Sequence, residues 1–143
     1  MAEIARESAE CIRELRPLWL ALRDHHRAVA PQLGPIWNDE ESWGRRRAHH
    51  EQALAGAGAF VLVAREAGAA VGYALVTLRG PSYTWRYPAA HGELEAISVL
   101  PEAQGGGIGR ALIEGCYAEL AERGIDTMTL RVIEGNAQAR GFY

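Results

Sequence analysis

Apolar positions in the first third of the chain recur at helical spacing. Leu15, Leu18, Trp19, Leu22, His26 and Val29 form one stripe that runs to a stop at Pro31. Pro17 lies inside this stripe and divides or kinks it, because its ring removes a helix hydrogen bond. Upstream, Glu3–Arg6 reads as a short first strand, and Ser8 as an N-cap whose hydroxyl can accept from a first-turn amide. Asn38 followed by Glu41 has the spacing of a capping box and opens a second helix through about Leu54, ended by Gly56–Gly58. Two short apolar runs, Ala59–Ala64 and Val71–Leu78, flank a turn at Gly68 and predict a β-hairpin. Residues 80–91 form a loop holding Tyr83, Trp85 and Tyr87. A strand over 93–100 leads into a helix over 107–123, with Gly109, Ile113, Cys116 and Leu120 along one side. Residues 127–133 alternate, Met128, Leu130 and Val132 against Thr127, Thr129 and Arg131, and Asn136 then caps a last helix.

Helices, a hairpin, then strand–helix–strand describe a mixed α/β domain around one sheet. A right-handed crossover makes strands 93–100 and 127–133 parallel. The 143 residues suit one domain spanning 1–143. A chain of this size hides roughly 70% of its unfolded surface, and 48% hydrophobic content supplies the core. The net charge of −3 and pI near 6.0 count against a nucleic-acid binder, which carries a basic excess. The triplet Arg45–Arg47 reads as a solvated helix face. Every one of the 15 basic residues is arginine, a pattern expected of coding in a GC-rich bacterial genome. Cys11 and Cys116 make neither a disulfide framework nor a zinc site and are expected as buried thiols. His49 and His50 are adjacent on a helix, where neighbours diverge by about 100°, so they are expected at its surface rather than on a metal. No apolar run approaches the roughly 18 residues of a membrane span, and no secretory signal is present. A cytoplasmic protein without membrane or nucleic-acid partners is expected.

The most informative stretch is Leu100-Pro-Glu-Ala-Gln-Gly-Gly-Gly-Ile-Gly-Arg110. A strand runs into a glycine cluster, which runs into a helix. Glycines admit positive φ and let a ligand approach the backbone. Successive amides there form an anion-binding nest, and the helix N-terminus adds about half a positive charge. A phosphate or pyrophosphate held by main-chain amides is the chemistry this invites, with Arg110 adding a charge-assisted hydrogen bond. A P-loop is excluded, because Arg110-Ala111 stands where Lys-Ser/Thr is required. A dinucleotide fold is a poor match, since the third glycine is missing and the loop comes late in the chain.

Gln104-x-x-Gly107-x-Gly109 resembles the acyl-CoA signature of the GNAT N-acetyltransferases, Gln/Arg-x-x-Gly-x-Gly/Ala. Ile97-Ser-Val-Leu-Pro-Glu102 is similar to that family's strand-to-loop lead-in, and Arg110-Ala-Leu-Ile113 to its helix opening. A second block, Leu130–Asn136 through Gly141-Phe-Tyr143, resembles its next strand and short helix. The resemblance implies a GNAT-like fold: a central, mostly antiparallel sheet with one parallel strand pair, flanked by helices. The family continues past this point with a Gly-Phe turn and one or two strands, so those C-terminal strands are expected to be missing. An open sheet edge would then favour a homodimer.

The same resemblance implies an enzyme that passes an acetyl group from acetyl-CoA directly to a primary amine of a small molecule or protein, without a metal. Main-chain groups of Ile97 and Val99, with Ser98 between them, would bind the pantetheine arm and the acyl carbonyl. Gln104, Gly105, Gly106, Gly107, Ile108, Gly109 and Arg110 would surround the pyrophosphate. Asn136 and Tyr143 match the family's motif, with Tyr143 either protonating the leaving thiolate or only packing beside Phe142. A phenol near pKa 10 is a suitable acid for that step. Glu93 and Glu95, two apart on one strand, are expected on the same face as Ile97, where mutual repulsion raises one pKa towards that of a base. Glu93 matches the glutamate base of the family's histone-acetyltransferase branch. The ribosomal branch has a glutamate where this chain has Arg131, which weakens a peptide N-terminus as acceptor. Solvated strand carboxylates are the alternative for the glutamate pair. Tyr83, Trp85 and Tyr87, with His25 and His26, either line an acceptor pocket or cover the sheet. A non-catalytic acyl-CoA sensor and a simple interaction module with a glycine turn are the rival functions.

Overall fold

In a computed structural model, the structure describes residues 2–80, 84 and 90–131. Strand β1 is Glu3–Glu7, followed by a 3-10 segment Ala9–Leu15, helix α1 Arg16–Val29 and helix α2 Asp39–Leu54. Strands β2 Phe60–Glu66, β3 Ala69–Arg79 and β4 His91–Val99 lead to helix α3 Ile108–Glu122 and strand β5 Met128–Thr129. The sheet order is β1-β2-β3-β4-β5. The first three pairings are antiparallel and β4 pairs with β5 in parallel, through the α3 crossover.

Helices cover both faces of this sheet, which explains why β2 and β3 read as continuous apolar runs rather than alternating ones. Val61, Val63, Tyr73 and Leu75 face Leu15, Leu18 and Trp19 on one side. Phe60, Leu62, Ala74 and Val76 face Leu112, Cys116 and Leu120 of α3 on the other. The buried stripe of α3 is Ile108, Leu112, Cys116 and Leu120, at strict four-residue spacing. The expected Gly109 and Ile113 instead lie on its half-buried flanks. Both cysteines are buried free thiols, as expected.

Local signals set the element ends. Pro17 falls in the first turn of α1, where its missing N–H breaks no hydrogen bond, and the apolar stripe divides there into 3-10 and α segments. Asn38 Oδ1 accepts the Glu41 N–H at 2.9 Å and starts α2, while the Glu41 carboxylate turns outward to Arg45. Ser8 occupies a cap position, yet its hydroxyl makes no cap bond. Its main-chain carbonyl takes the Cys11 N–H at 3.1 Å instead, the three-residue bond of a 3-10 turn. The hairpin turn is Ala67-Gly68, both at positive φ, 50° and 84°, so the twist of the two-residue turn suits the strands it joins.

The expectation that His49 and His50 both lie at the surface of α2 is half wrong. His50 comes two turns after buried Trp43 and shares its inward face; it is fully buried, with Nε2 3.0 Å from the Tyr73 hydroxyl. His49 is about half exposed, with Nε2 3.7 Å from the Glu95 carboxylate. Burial, then the charges of Arg46 and His49, push the His50 pKa down from 6.5 to about 4. The neighbouring arginines Arg45 and Arg47 form exposed pairs with Glu41 and Glu51, as a solvated face requires.

Candidate functional site

Among the described residues, strand β5 pairs with β4 only at Gly92↔Met128 and Glu93↔Thr129. From Leu130 onward β5 has left the ladder among the described residues. Beyond that point a cleft of about 940 Å³ opens along β4, bounded by α1, the glycine loop, the start of α3, and Leu130 and Arg131.

A bulge in β4 decides what faces this cleft. The register against β3 runs Leu75↔Ala96 and then Val76↔Leu94, so Glu95 is the extra residue. Leu94 packs on the α3 side and Ala96 on the α1 side, although two residues apart on a regular strand share a face. Peptide groups shift phase with the side chains. The Gly92 N–H reaches Thr127 O at 2.9 Å on β5, and the Leu100 N–H reaches Val71 O at 2.9 Å on β3. Counting back by twos from Leu100 directs the main-chain groups of Ile97 and Val99 away from β3, into the cleft.

The glycine loop closes one end. Gly105 and Gly107 have φ of 87° and 85°, and a side chain added at either would meet nothing within 4 Å. Conformation, not crowding, therefore demands glycine at both positions. Gly107 is the N-cap of α3 and supplies no side-chain cap, which leaves first-turn amides for a ligand to bind. Gln104 donates from Nε2 to Val99 O at 3.0 Å and ties the loop to the end of β4. Gln104, Gly105, Gly107, Ile108, Gly109 and Arg110 line the cleft; Gly106 does not. Ser98 also lines the cleft, and its hydroxyl donates to Leu18 O at 2.7 Å, fastening β4 to α1.

The carboxylates lie otherwise than expected. Through the bulge, Glu93 and Glu95 share the α2 face, whereas Ile97 packs on the α3 side. Arg79 bridges the two carboxylates. Thr77 Oγ1 donates to Glu95 at 2.9 Å, and His49 Nε2 stands 3.7 Å away. Burial pushes the Glu95 carboxyl up, but Thr77, then Arg79 and His49, outweigh it and the net shift is downward. Glu95 is therefore not the member of the pair whose pKa is raised. Thr77 and Arg79 were missed in the sequence; their two-residue spacing on β3 was the available signal.

His25 and His26 both line the cleft, from α1. Burial, then His25 and Arg46, lower the His26 pKa, which keeps the imidazole neutral near pH 7. A second pocket of about 240 Å³ adjoins the cleft and shares Leu22, His26, Glu95 and Ala96 with it. Tyr83, Trp85, Tyr87, Asn136 and Tyr143 lie outside the described residues.

The sequence model described as the Acetyltransferase (GNAT) family matches residues 19–143. A mycothiol acetyltransferase of Thermobispora bispora is 34% identical over 125 residues, which are 87% of this chain and 40% of that protein. The chain therefore spans less than half of that relative. Among solved structures, a tetramutant of the BH1408 protein of Bacillus halodurans matches with a TM-score of 0.80 at 20% identity, over 99% of this chain and 89% of that one. AAC(6')-Iy, in complex with the bisubstrate analogue CoA-S-monomethyl-acetylneamine, matches with a TM-score of 0.73 at 20% identity, over 99% of this chain and 86% of that one. At such identities the likeness is one of fold. A sheet that parts beside a glycine-capped helix and a family match over 19–143 lead to one conclusion: the chain belongs to the GNAT acetyltransferase family.

Proposed function

We propose that this chain transfers an acetyl group from acetyl-CoA directly to the primary amine of an acceptor. The observation that carries it is the cleft where β4 and β5 cease to pair, running to the uncapped start of α3. In this reading, amides across Gly105–Arg110 hold the pyrophosphate, with Arg110 beside them. The pantetheine arm lies along β4 and completes the sheet edge through the main chain of Ile97 and Val99. The acceptor amine comes from the adjoining pocket, past Glu95 and His26, which border both spaces.

The amine nitrogen attacks the thioester carbonyl carbon and releases a proton to water as the carbon–sulfur bond breaks; the thiolate takes a proton from Tyr143, which solvent then returns to the phenol. Glu95, held as an anion by Thr77 and Arg79, attracts the acceptor's ammonium and removes its proton directly or through water. Glu93 orients Arg79 rather than meeting the amine. Asn136 supports the cofactor from the segment leading to Tyr143.

Calorimetric titration with acetyl-CoA tests the core of the proposal, with Gly107→Glu as control. Micromolar binding in the parent and its loss in the variant is the expected result. The variant places a carboxylate where a pyrophosphate would lie, at a residue with φ of 85°. Absence of binding to the parent would remove the acetyltransferase reading.

A further inference from the structure

Resting on the acetyl-transfer reading above, we infer that the acceptor is a small primary amine that also carries an anionic group, a carboxylate or a phosphate, which the arginines of the adjoining pocket receive. Arg23, Arg27 and Arg46 line this pocket and not the cleft; Glu95 is its one carboxylate among the described residues and stands at the shared boundary. The pocket is therefore polarised, negative at Glu95 and positive at Arg27 and Arg46, while the charge of Arg23 is met by Asp24 and Asp39. An ammonium at Glu95 and an anion among the arginines match that polarity in a single molecule.

The arginines are not equally committed to other partners. Arg46 makes no ion pair among the described residues and lies 5.3 Å over the Trp19 ring. Its charge adds to burial, and at His26 to the charge of His25, in lowering the pKa values of His26 and His50. Arg23 is only 10% exposed; Nη2 binds Asp24 at 2.8 Å and Asp39 at 2.7 Å. Its Nη1 is buried with no hydrogen-bond partner among the described residues. With Nη1 closed to solvent and Nη2 paired twice, Arg23 fixes the pocket wall, which leaves Arg27 and Arg46 to meet an anion.

Size sets a second limit. At about 240 Å³ the pocket has roughly a quarter of the neighbouring cleft's volume, which suits a small acceptor. A polycationic amine meets the wrong charge here.

The test is a set of matched amines offered with acetyl-CoA, followed by thiol release: an amino acid against its carboxamide, an aminoalkyl phosphate against its amino alcohol, and a linear polyamine. The anion-bearing member of at least one pair is expected to have the higher kcat/KM by about tenfold or more, the gain of one charge-assisted contact. Which pair shows the larger ratio separates carboxylate from phosphate. Arg46→Gln collapses that ratio through KM, and Arg46→Lys restores part of it. Arg27→Gln provides the second variant, read with a thermal melt. A polyamine or neutral amine preferred over its anionic partners overturns the inference. So does a ratio that survives both substitutions, or a chain that binds acetyl-CoA yet neither binds nor acetylates the anionic probes. Should acetyl-CoA itself fail to bind, the acetyl-transfer reading falls. Titration of the same probes without cofactor then decides the pocket, where Arg46-dependent binding keeps the inference and its absence sinks it.

Discussion

Replacing His50 by glutamine tests the energetic cost of a buried histidine. His50 is fully buried beneath α2, paired with the equally buried Tyr73 hydroxyl at 3.0 Å. The groups that face it are Tyr73 on β3, Arg46 and His49 on α2, and the Glu95 carboxylate on β4. Its pKa is depressed from 6.5 to about 4, so the unfolded chain binds the proton more readily than the folded one. The stability this provides is present above pH 6.5 and is lost as the pH falls towards 4. Between pH 7 and pH 5 the two pKa values translate into a loss of about 2 kcal/mol from this residue alone. Urea denaturation at pH 7, 6 and 5 measures it. Glutamine has no titration in this range, so the variant is expected to lose about 2 kcal/mol less than the parent over the same interval, whatever its absolute stability. His26, also shifted downward, contributes equally to both proteins and cancels. Parallel stability–pH curves for parent and variant would refute the reasoning.

Gly92→Ala places a Cβ 2.8 Å from Leu120 Cδ1 and 3.2 Å from Val76 Cγ1. Overpacking of this kind costs about 1–3 kcal/mol, and an unchanged urea midpoint would contradict it. Burial first, and then Glu7 at Cys11 and Glu119 at Cys116, push the thiol pKa values up to about 11 and about 12. Neither thiol is therefore expected to react with a chromogenic disulfide reagent at pH 8 until the chain unfolds; prompt labelling of the native protein is the opposing result. Arg79→Gln removes a cation that holds Glu95 ionised while leaving the burial that opposes ionisation. If Glu95 is the base, the acid limb of kcat/KM moves to higher pH, and an unmoved limb places the base elsewhere.

What could be read in advance followed from locality. The start of α2 was legible because Asn38 caps an amide three residues away, an interaction contained within the sequence window. The β2–β3 hairpin was legible because its turn glycine and apolar runs are neighbours. The faces of β4 were not. A bulge depends on which strand lies alongside and in what register, and neither is written in Glu93–Val99 itself. His50 was misjudged for a related reason: histidine suits surface and core alike, and only the placement of α2 over Tyr73 selects between them. The conformation of the glycine loop was readable because it resides in the backbone, with Gly105 and Gly107 both at positive φ. Arg79 became visible only once β3 was paired with β4.

The order of strands across the sheet is also their order along the chain, with a consequence for how the domain assembles. Phe60 pairs with Val76 at the wide end of a two-residue turn, a closure that isolated hairpins complete in about 1–10 μs. β1 is different: Ile4 pairs with Ala64, across α1, α2 and everything between them. That contact must meet a larger loop-closure entropy before any pairing energy is returned. The amino-terminal strand is therefore expected to dock last and to open first. Hydrogen exchange is expected to show it as faster exchange at the amides of Glu3–Glu7 than at those of β2 and β3.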